Sequence, residues 1–145
     1  MSDFRRIEDG IFASPQIEIE DVATAREMGI ALIINNRPED ESPDQTPGAA
    51  IEAAARAAGI AYVAIPVTHA GFSEAQVRGM VEALKDANGP VLASCRPATR
   101  STLLWALAEA SKGRSPDELA RCAANGGYDV GPVRPAMDML AGSAG

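Results

Sequence analysis

Short aliphatic runs alternate along the chain with stretches at helical spacing, and glycine or proline separates most of them. Gly10-Ile11-Phe12-Ala13-Ser14 predicts a strand ended by Pro15, because proline has no N–H to give a sheet ladder. Ile19, Val22, Ala25 and Met28 recur at helical spacing as far as Gly29, which suits a left-handed helix cap. Ala31-Leu32-Ile33-Ile34 is unbroken and aliphatic, the pattern of a strand covered on both faces, and it stops at Asn35-Asn36-Arg37-Pro38. The charged stretch from Glu39 to Thr46 predicts a loop. Thr46-Pro47 then supplies a cap and a first-turn proline for an Ala-rich helix through Ala58.

The second half repeats the alternation. Ile60 to Ile65 predicts a strand closed by Pro66, followed by the loop Thr68-His69-Ala70-Gly71. Ser73 and Gln76 form a capping box for a helix carrying Val77, Met80, Val81 and Leu84 on one face, ended by Asn88-Gly89-Pro90. Val91-Leu92-Ala93-Ser94 is the next buried strand, and it runs into Cys95 and then an apolar helix from Ser101 to Ser111. Ser115-Pro116-Asp117-Glu118 opens a further helix, and Pro135 to Leu140 predicts a short last one. Strands alternating with helices imply crossover connections. The expected fold is α/β: a mainly parallel, four- to five-stranded sheet flanked by helices. Such sheets bind ligands beyond the carboxyl ends of their strands, where four polar loops would converge.

Composition narrows the class. Hydrophobic residues make up 46% and charged residues 23% of 145, which argues against both disorder and a membrane span. The longest apolar stretch, around Gly29 to Ile34, is far too short to span a bilayer. A formal charge of −7 disfavours contact with nucleic acid or anionic lipid, so any anion site must be a local exception. Cys95 and Cys122 are too few for a disulfide framework, and Met1 to Gly10 has acidic residues where a signal peptide needs an apolar run. A cytoplasmic protein is expected. No repeat or low-complexity linker divides the chain, so one domain, 1–145, is expected, with a frayed tail at 141–145.

The chemistry concentrates after the fourth predicted strand. In Cys95-Arg96-Pro97-Ala98-Thr99-Arg100, a cysteine follows a buried strand and a helix begins at the loop's far end. Backbone N–H groups between Arg96 and Arg100 can form a nest, and the helix N-terminus adds its positive partial charge. That field favours a thiolate over a thiol, which makes Cys95 a candidate nucleophile. Arg100 is placed to fork two donors onto an oxyanion. The alternative, an inert core cysteine beside a surface arginine, fits this combination poorly. Cys122 and Trp105 read as packing residues on their helices.

These residues, with Ser101, resemble the signature loop of cysteine-dependent phosphatases and rhodanese-like sulfurtransferases. Phe12-Ala13-Ser14-Pro15-Gln16, Ile33-Ile34-Asn35-Asn36-Arg37-Pro38, Ile65-Pro66-Val67 and Gly89-Pro90-Val91-Leu92 narrow the resemblance to the bacterial beta-lactamase-hydrolase-like phosphatase domain. That family, also called a sulfur transferase family, has a dual-specificity-phosphatase-like fold. The resemblance implies a phosphatase that works through a phosphocysteine on a phosphate monoester. Cys95 would be the nucleophile and Arg100 the oxyanion clamp, with the Ser101 hydroxyl on the thiolate or assisting hydrolysis of the intermediate. Arg96, Pro97, Ala98 and Thr99 would shape the phosphate-binding loop. No cofactor or metal is implied, and the partner expected is a phosphate- or sulfur-containing anion.

Two departures matter. Where the family loop carries Ser-Gly this chain has Pro97-Ala98, which removes one N–H from the cradle and a residue tolerant of positive φ. Four residues separate Cys95 from Arg100, one fewer than in ordinary tyrosine phosphatases and as in rhodaneses. A sulfurtransferase using a Cys95 persulfide, or a noncatalytic anion-binding module, therefore stand as alternatives. The Asp-Arg and Gly-His-Ile landmarks of rhodanese domains are missing. Cleavage of a phosphate ester also needs a proton donor for the leaving oxygen. His69, the only histidine, is the candidate in the loop after Pro66, with Glu39, Asp40 and Glu41 as others. Asn35, Asn36 and Arg37, and similarly Gln16, follow strands expected beside the cysteine strand, where they could line the pocket mouth.

Overall fold

Among the described residues five strands make one sheet, each of four residues: β1 (Arg5–Glu8), β2 (Ile11–Ser14), β3 (Leu32–Asn35), β4 (Ala61–Ala64) and β5 (Val91–Ser94). Six α-helices of the described residues join or follow them: α1 (Ile19–Glu27), α2 (Gly48–Ala57), α3 (Glu74–Asp86), α4 (Thr99–Ser111), α5 (Pro116–Asn125) and α6 (Arg134–Ser143). The structure is a computed structural model and describes residues 3–39, 43, 45–68, 71–96 and 99–143.

The strand order is β1-β2-β5-β3-β4, with β2, β5, β3 and β4 parallel and β1 antiparallel to β2. The cysteine strand is central. Its register sets Ser94 level with Ser14 of β2 and Asn35 of β3, so three strands end together and the Cys95 loop leaves between two neighbours.

Side chains alternate across the sheet and divide the core. Ala13, Leu32, Ile34, Val91 and Ala93 face one apolar cluster, which includes Met80, Leu104, Trp105, Leu119 and Met137. Ile33 and Leu92 face a smaller one with Val22, Ala25, Ile51 and Ala55. Helix α4 lies in the larger cluster, against β2 and β5 and between α3, α5 and α6. Its residues from Ser101 to Ala110 are all buried, as expected of a central helix with small or apolar residues on every face. Truncating a buried leucine such as Leu104 costs about 2–5 kcal/mol. The one buried carboxylate of that helix, Glu109 at 7% exposure, is held by Arg114 at 2.8 Å and Lys112 at 2.9 Å. Arg114 also forks onto Glu8.

The structure revises several expectations. Strand β1 was not anticipated: only Ile7 of its four residues is buried, and a register shift between Arg6 and Glu8 removes any alternation. The last helix is longer than the expected 135–140: α6 runs from Arg134 to Ser143 and buries Met137. Ser73 and Gln76 do form the capping box. At Ser115 only the hydroxyl half forms, since the Glu118 carboxylate pairs with Arg114 instead. Thr46 does not cap α2: the N-cap is Pro47, which offers no side-chain acceptor, and the Glu39 carboxylate accepts from the Gly48 N–H at 2.6 Å.

Candidate active site

The level ends of β2, β5 and β3 position the cysteine before any loop residue contributes. The Cys95 N–H donates to the Ser14 carbonyl at 3.2 Å, and the Asn36 N–H donates to the Ser94 carbonyl at 2.7 Å. Cys95 is therefore anchored one residue past the sheet, with 0% exposure. The chain re-enters a helix at Thr99, and the N–H of Ser101 donates to Cys95 Sγ at 3.4 Å. An N-terminal N–H of α4, one without a partner inside the helix, thus points at the sulfur together with the positive end of the helix dipole.

The candidate side chains fare differently. Arg100 is half-buried and donates from Nη1 to the Val67 carbonyl at 2.7 Å, which ties the loop to the segment after β4. Arg96 is exposed and Thr99 half-buried on the same loop. His69, Pro97 and Ala98, with Asp40 and Glu41, lie outside the described residues. Glu39 is committed to the α2 terminus, a role that uses its carboxylate as an acceptor rather than as a proton donor.

Asn35, Asn36 and Arg37 were expected at the pocket mouth; the structure buries Asn36 and Arg37 and leaves Asn35 half-buried. Asn35 donates from Nδ2 to the Tyr62 hydroxyl at 2.9 Å and accepts the Arg37 N–H on Oδ1 at 3.0 Å. Asn36 has 0% exposure and Arg37 has 5%. Arg37 Nη1 donates to Gln16 Oε1 at 2.9 Å. Because Gln16 follows β2 and Arg37 follows β3, this bond crosses the end of the central strand between them. Of the three, Asn36 bonds to residues on either side of the cysteine loop, Ser94 and Ser101.

The Ser101 hydroxyl also differs from the role implied for it. It donates to Asn36 Oδ1 at 2.8 Å, so in this structure the backbone N–H of Ser101 is what faces the sulfur. Three contributors went unread in the sequence: the Val67 carbonyl, the Tyr62 hydroxyl and the capping carboxylate of Glu39. Burial pushes the Tyr62 phenol above its ordinary range, against the opposing hydrogen bond from Asn35. Burial likewise raises Tyr128, over which Arg5 lies at 5.8 Å from the ring centre. Among the described residues no group of three His, Cys, Asp or Glu could hold a metal ion, and no helix is long and apolar enough to cross a membrane.

A largely parallel sheet whose central strand delivers a cysteine into a short loop, with an arginine and a helix N-terminus following, defines a cysteine-dependent phosphatase-like fold and site. Sequence comparison gives the family: residues 3–112 match the phosphatase-like domain of Beta-lactamase hydrolase-like proteins, and the chain belongs to that family. A Beta-lactamase hydrolase-like protein of Xylella fastidiosa is 34% identical over 126 residues, 86% of this chain. The chain spans 29% of that relative's length. Among solved structures, a candidate phosphatase of Neisseria meningitidis superposes with a TM-score of 0.81 at 31% identity, covering 94% of this chain and 96% of that one. TpbA of P. aeruginosa, solved in complex with pTyr, shares the fold with a TM-score of 0.66 at 17% identity, covering 97% and 89%.

Proposed function

We propose that this chain hydrolyses phosphate monoesters through a phosphocysteine on Cys95. The observation that carries the reading is the Ser101 N–H donating to the Cys95 sulfur at the N-terminus of α4. It marks the point where an anion on the sulfur, and the phosphoryl oxygens it attacks, meet oriented donors. Cys95 Sγ forms a bond to phosphorus as the bond to the ester oxygen breaks, and the leaving oxygen takes a proton from a general acid. Water then attacks the phosphocysteine, releasing inorganic phosphate and restoring the sulfur. Arg100 is the side chain we assign to the equatorial oxygens, with Arg96 and the amides of residues 96–100 around them. We assign the proton donor to His69, the one titratable side chain of the segment from Pro66 to Phe72. The phosphotyrosine bound in TpbA makes an aryl phosphate the first substrate to try. We place the protein in the cytoplasm on the support of its two free cysteines, Cys95 and Cys122.

Mass spectrometry of the protein quenched during turnover of an aryl phosphate tests the reading. The expected product is a phosphate adduct on the peptide containing Cys95. The short span from Cys95 to Arg100 favours one rival, so a parallel incubation with thiosulfate is informative. A persulfide there without a phosphate adduct makes the chain a sulfurtransferase, and neither adduct leaves an anion-binding module.

A further inference from the structure

Gln76, in the first turn of α3, does more than complete a capping box. Its Oε1 accepts the Ser73 N–H at 2.7 Å and its own N–H donates to the Ser73 hydroxyl at 3.1 Å, which makes the box. Its Nε2 reaches ten residues back and donates to the Pro66 carbonyl at 2.8 Å. The amide cannot be reversed: the Ser73 N–H can only donate and the Pro66 carbonyl can only accept, so Oε1 faces the first and Nε2 the second. Pro66 lies just past β4, the edge of the sheet, where an outward backbone group faces no neighbouring strand. A trans peptide points its N–H and its C=O in opposite directions. In the Pro66–Val67 unit the N–H donates inward to the Asn36 carbonyl at 2.9 Å while the C=O is held from outside by Gln76. One peptide plane is thus pinned from both sides. The next carbonyl along, that of the buried Val67, is the one that receives Arg100 Nη1 at 2.7 Å.

Resting on the phosphatase reading for the role of Arg100, we propose that Gln76 is a positioning residue for that arginine: by holding the Pro66 carbonyl it fixes the Val67 carbonyl on which the guanidinium rests. A long side chain held by a backbone atom before the anion arrives has less rotational freedom left to lose on binding it. Released from Gln76, the Pro66–Val67 peptide keeps only its inner bond to Asn36, and the carbonyl that orients Arg100 is less well fixed. The first turn of α3 therefore acts on the phosphate site through two carbonyls and touches no substrate atom itself.

Inorganic phosphate, titrated by NMR at constant ionic strength, tests this without turnover. Gln76→Met and Ser73→Ala both break the capping box and neither changes the charge, but only the first releases the Pro66 carbonyl. Gln76→Met should weaken phosphate about three- to tenfold, the worth of one hydrogen bond. Ser73→Ala should lower the urea midpoint and leave phosphate affinity at the parent's value. In an Arg100→Ala background, Gln76→Met should cost phosphate nothing further. An equal loss with and without the guanidinium, the same loss in Ser73→Ala, or no loss in Gln76→Met overturns the proposal. Where Gln76→Met does not fold, Gln76→Glu decides, since it keeps the acceptor for the Ser73 N–H and lacks the donor to Pro66. Ala75→Glu, one residue away and exposed, controls for the added charge. Phosphate weakened beyond that control supports the proposal, and affinity equal to the control overturns it. A chain whose phosphate affinity responds as expected but that forms no phosphocysteine sinks the phosphatase reading and leaves the role of Gln76 standing; a phosphocysteine with no such response does the reverse.

Discussion

Helices α2 and α4 follow neighbouring strands and present their N-termini at the same end of the sheet, yet the molecule uses them in opposite ways. At α2 the first N–H is taken by the chain's own carboxylate, Glu39, at 2.6 Å. At α4 the N–H of Ser101 meets the sulfur of Cys95 at 3.4 Å. Both contacts draw on the same unsatisfied donors and the same dipole. The difference lies in the partner: a carboxylate ends the matter, whereas a sulfur can pass its place to a phosphoryl group. It lies also in the surroundings, because α2 buries one stripe around Gly48, Ile51 and Ala55 while α4 is buried from Ser101 to Ala110. A helix terminus therefore becomes reactive through what the preceding strand delivers to it.

Removing the sulfur should break the contrast most completely. Cys95→Ser is expected to lower phosphate-ester turnover by roughly a thousandfold or more, with inorganic phosphate still bound, as followed by steady-state kinetics and calorimetry. Turnover within about tenfold of the parent would remove the α4 terminus from the chemistry.

Emptying the other terminus should touch stability alone. Glu39→Ala is expected to destabilise the fold by about 0.5–2 kcal/mol in urea melts, with kcat nearly unchanged. A Cβ at Gly48 would come within 2.8 Å of Glu39 Oε1 and 3.0 Å of the Tyr62 hydroxyl, so Gly48→Ala displaces the same cap. The two changes should be non-additive, the second costing less once Glu39 is gone. Full additivity would mean the carboxylate does not cap α2 in solution.

The smallest effect concerns pH. The Tyr62 phenol beside this terminus is raised by burial above its unfolded value near 10.0. Its contribution to stability is complete below that unfolded value and is lost as pH rises through the folded one. Tyr62→Phe should flatten the alkaline decline of stability in part, since Tyr128 is raised by burial as well. An identical decline in both proteins would count against burial as the cause.

How far the sequence could be read depended on how local each signal was. Strand β5 and the Ser73–Gln76 box were legible because aliphatic runs and cap spacings lie within a few residues. The cysteine loop was legible for the same reason. Strand β1 was hidden, since Arg5-Arg6-Ile7-Glu8 carries one buried residue and pairs only through β2. The cap on α2 comes from nine residues upstream, and the Ser101–Asn36 bond joins positions 65 apart. Spacing rules do not reach either. The inward turn of Asn36 and Arg37 follows from strand order, which places both against the central strand's end.

The burial of α4 from Ser101 to Ala110 ties the helix that follows the cysteine loop into the core. Whatever opens that helix must also part α3, α5 and α6, which couples the N-terminus of α4 to the stability of the fold. An anion seated there stabilises the entire fold, by about 2.7 kcal/mol at a hundred times its dissociation constant. Heat resistance thereby becomes a gauge of which compounds the loop accepts, even for those it never turns over.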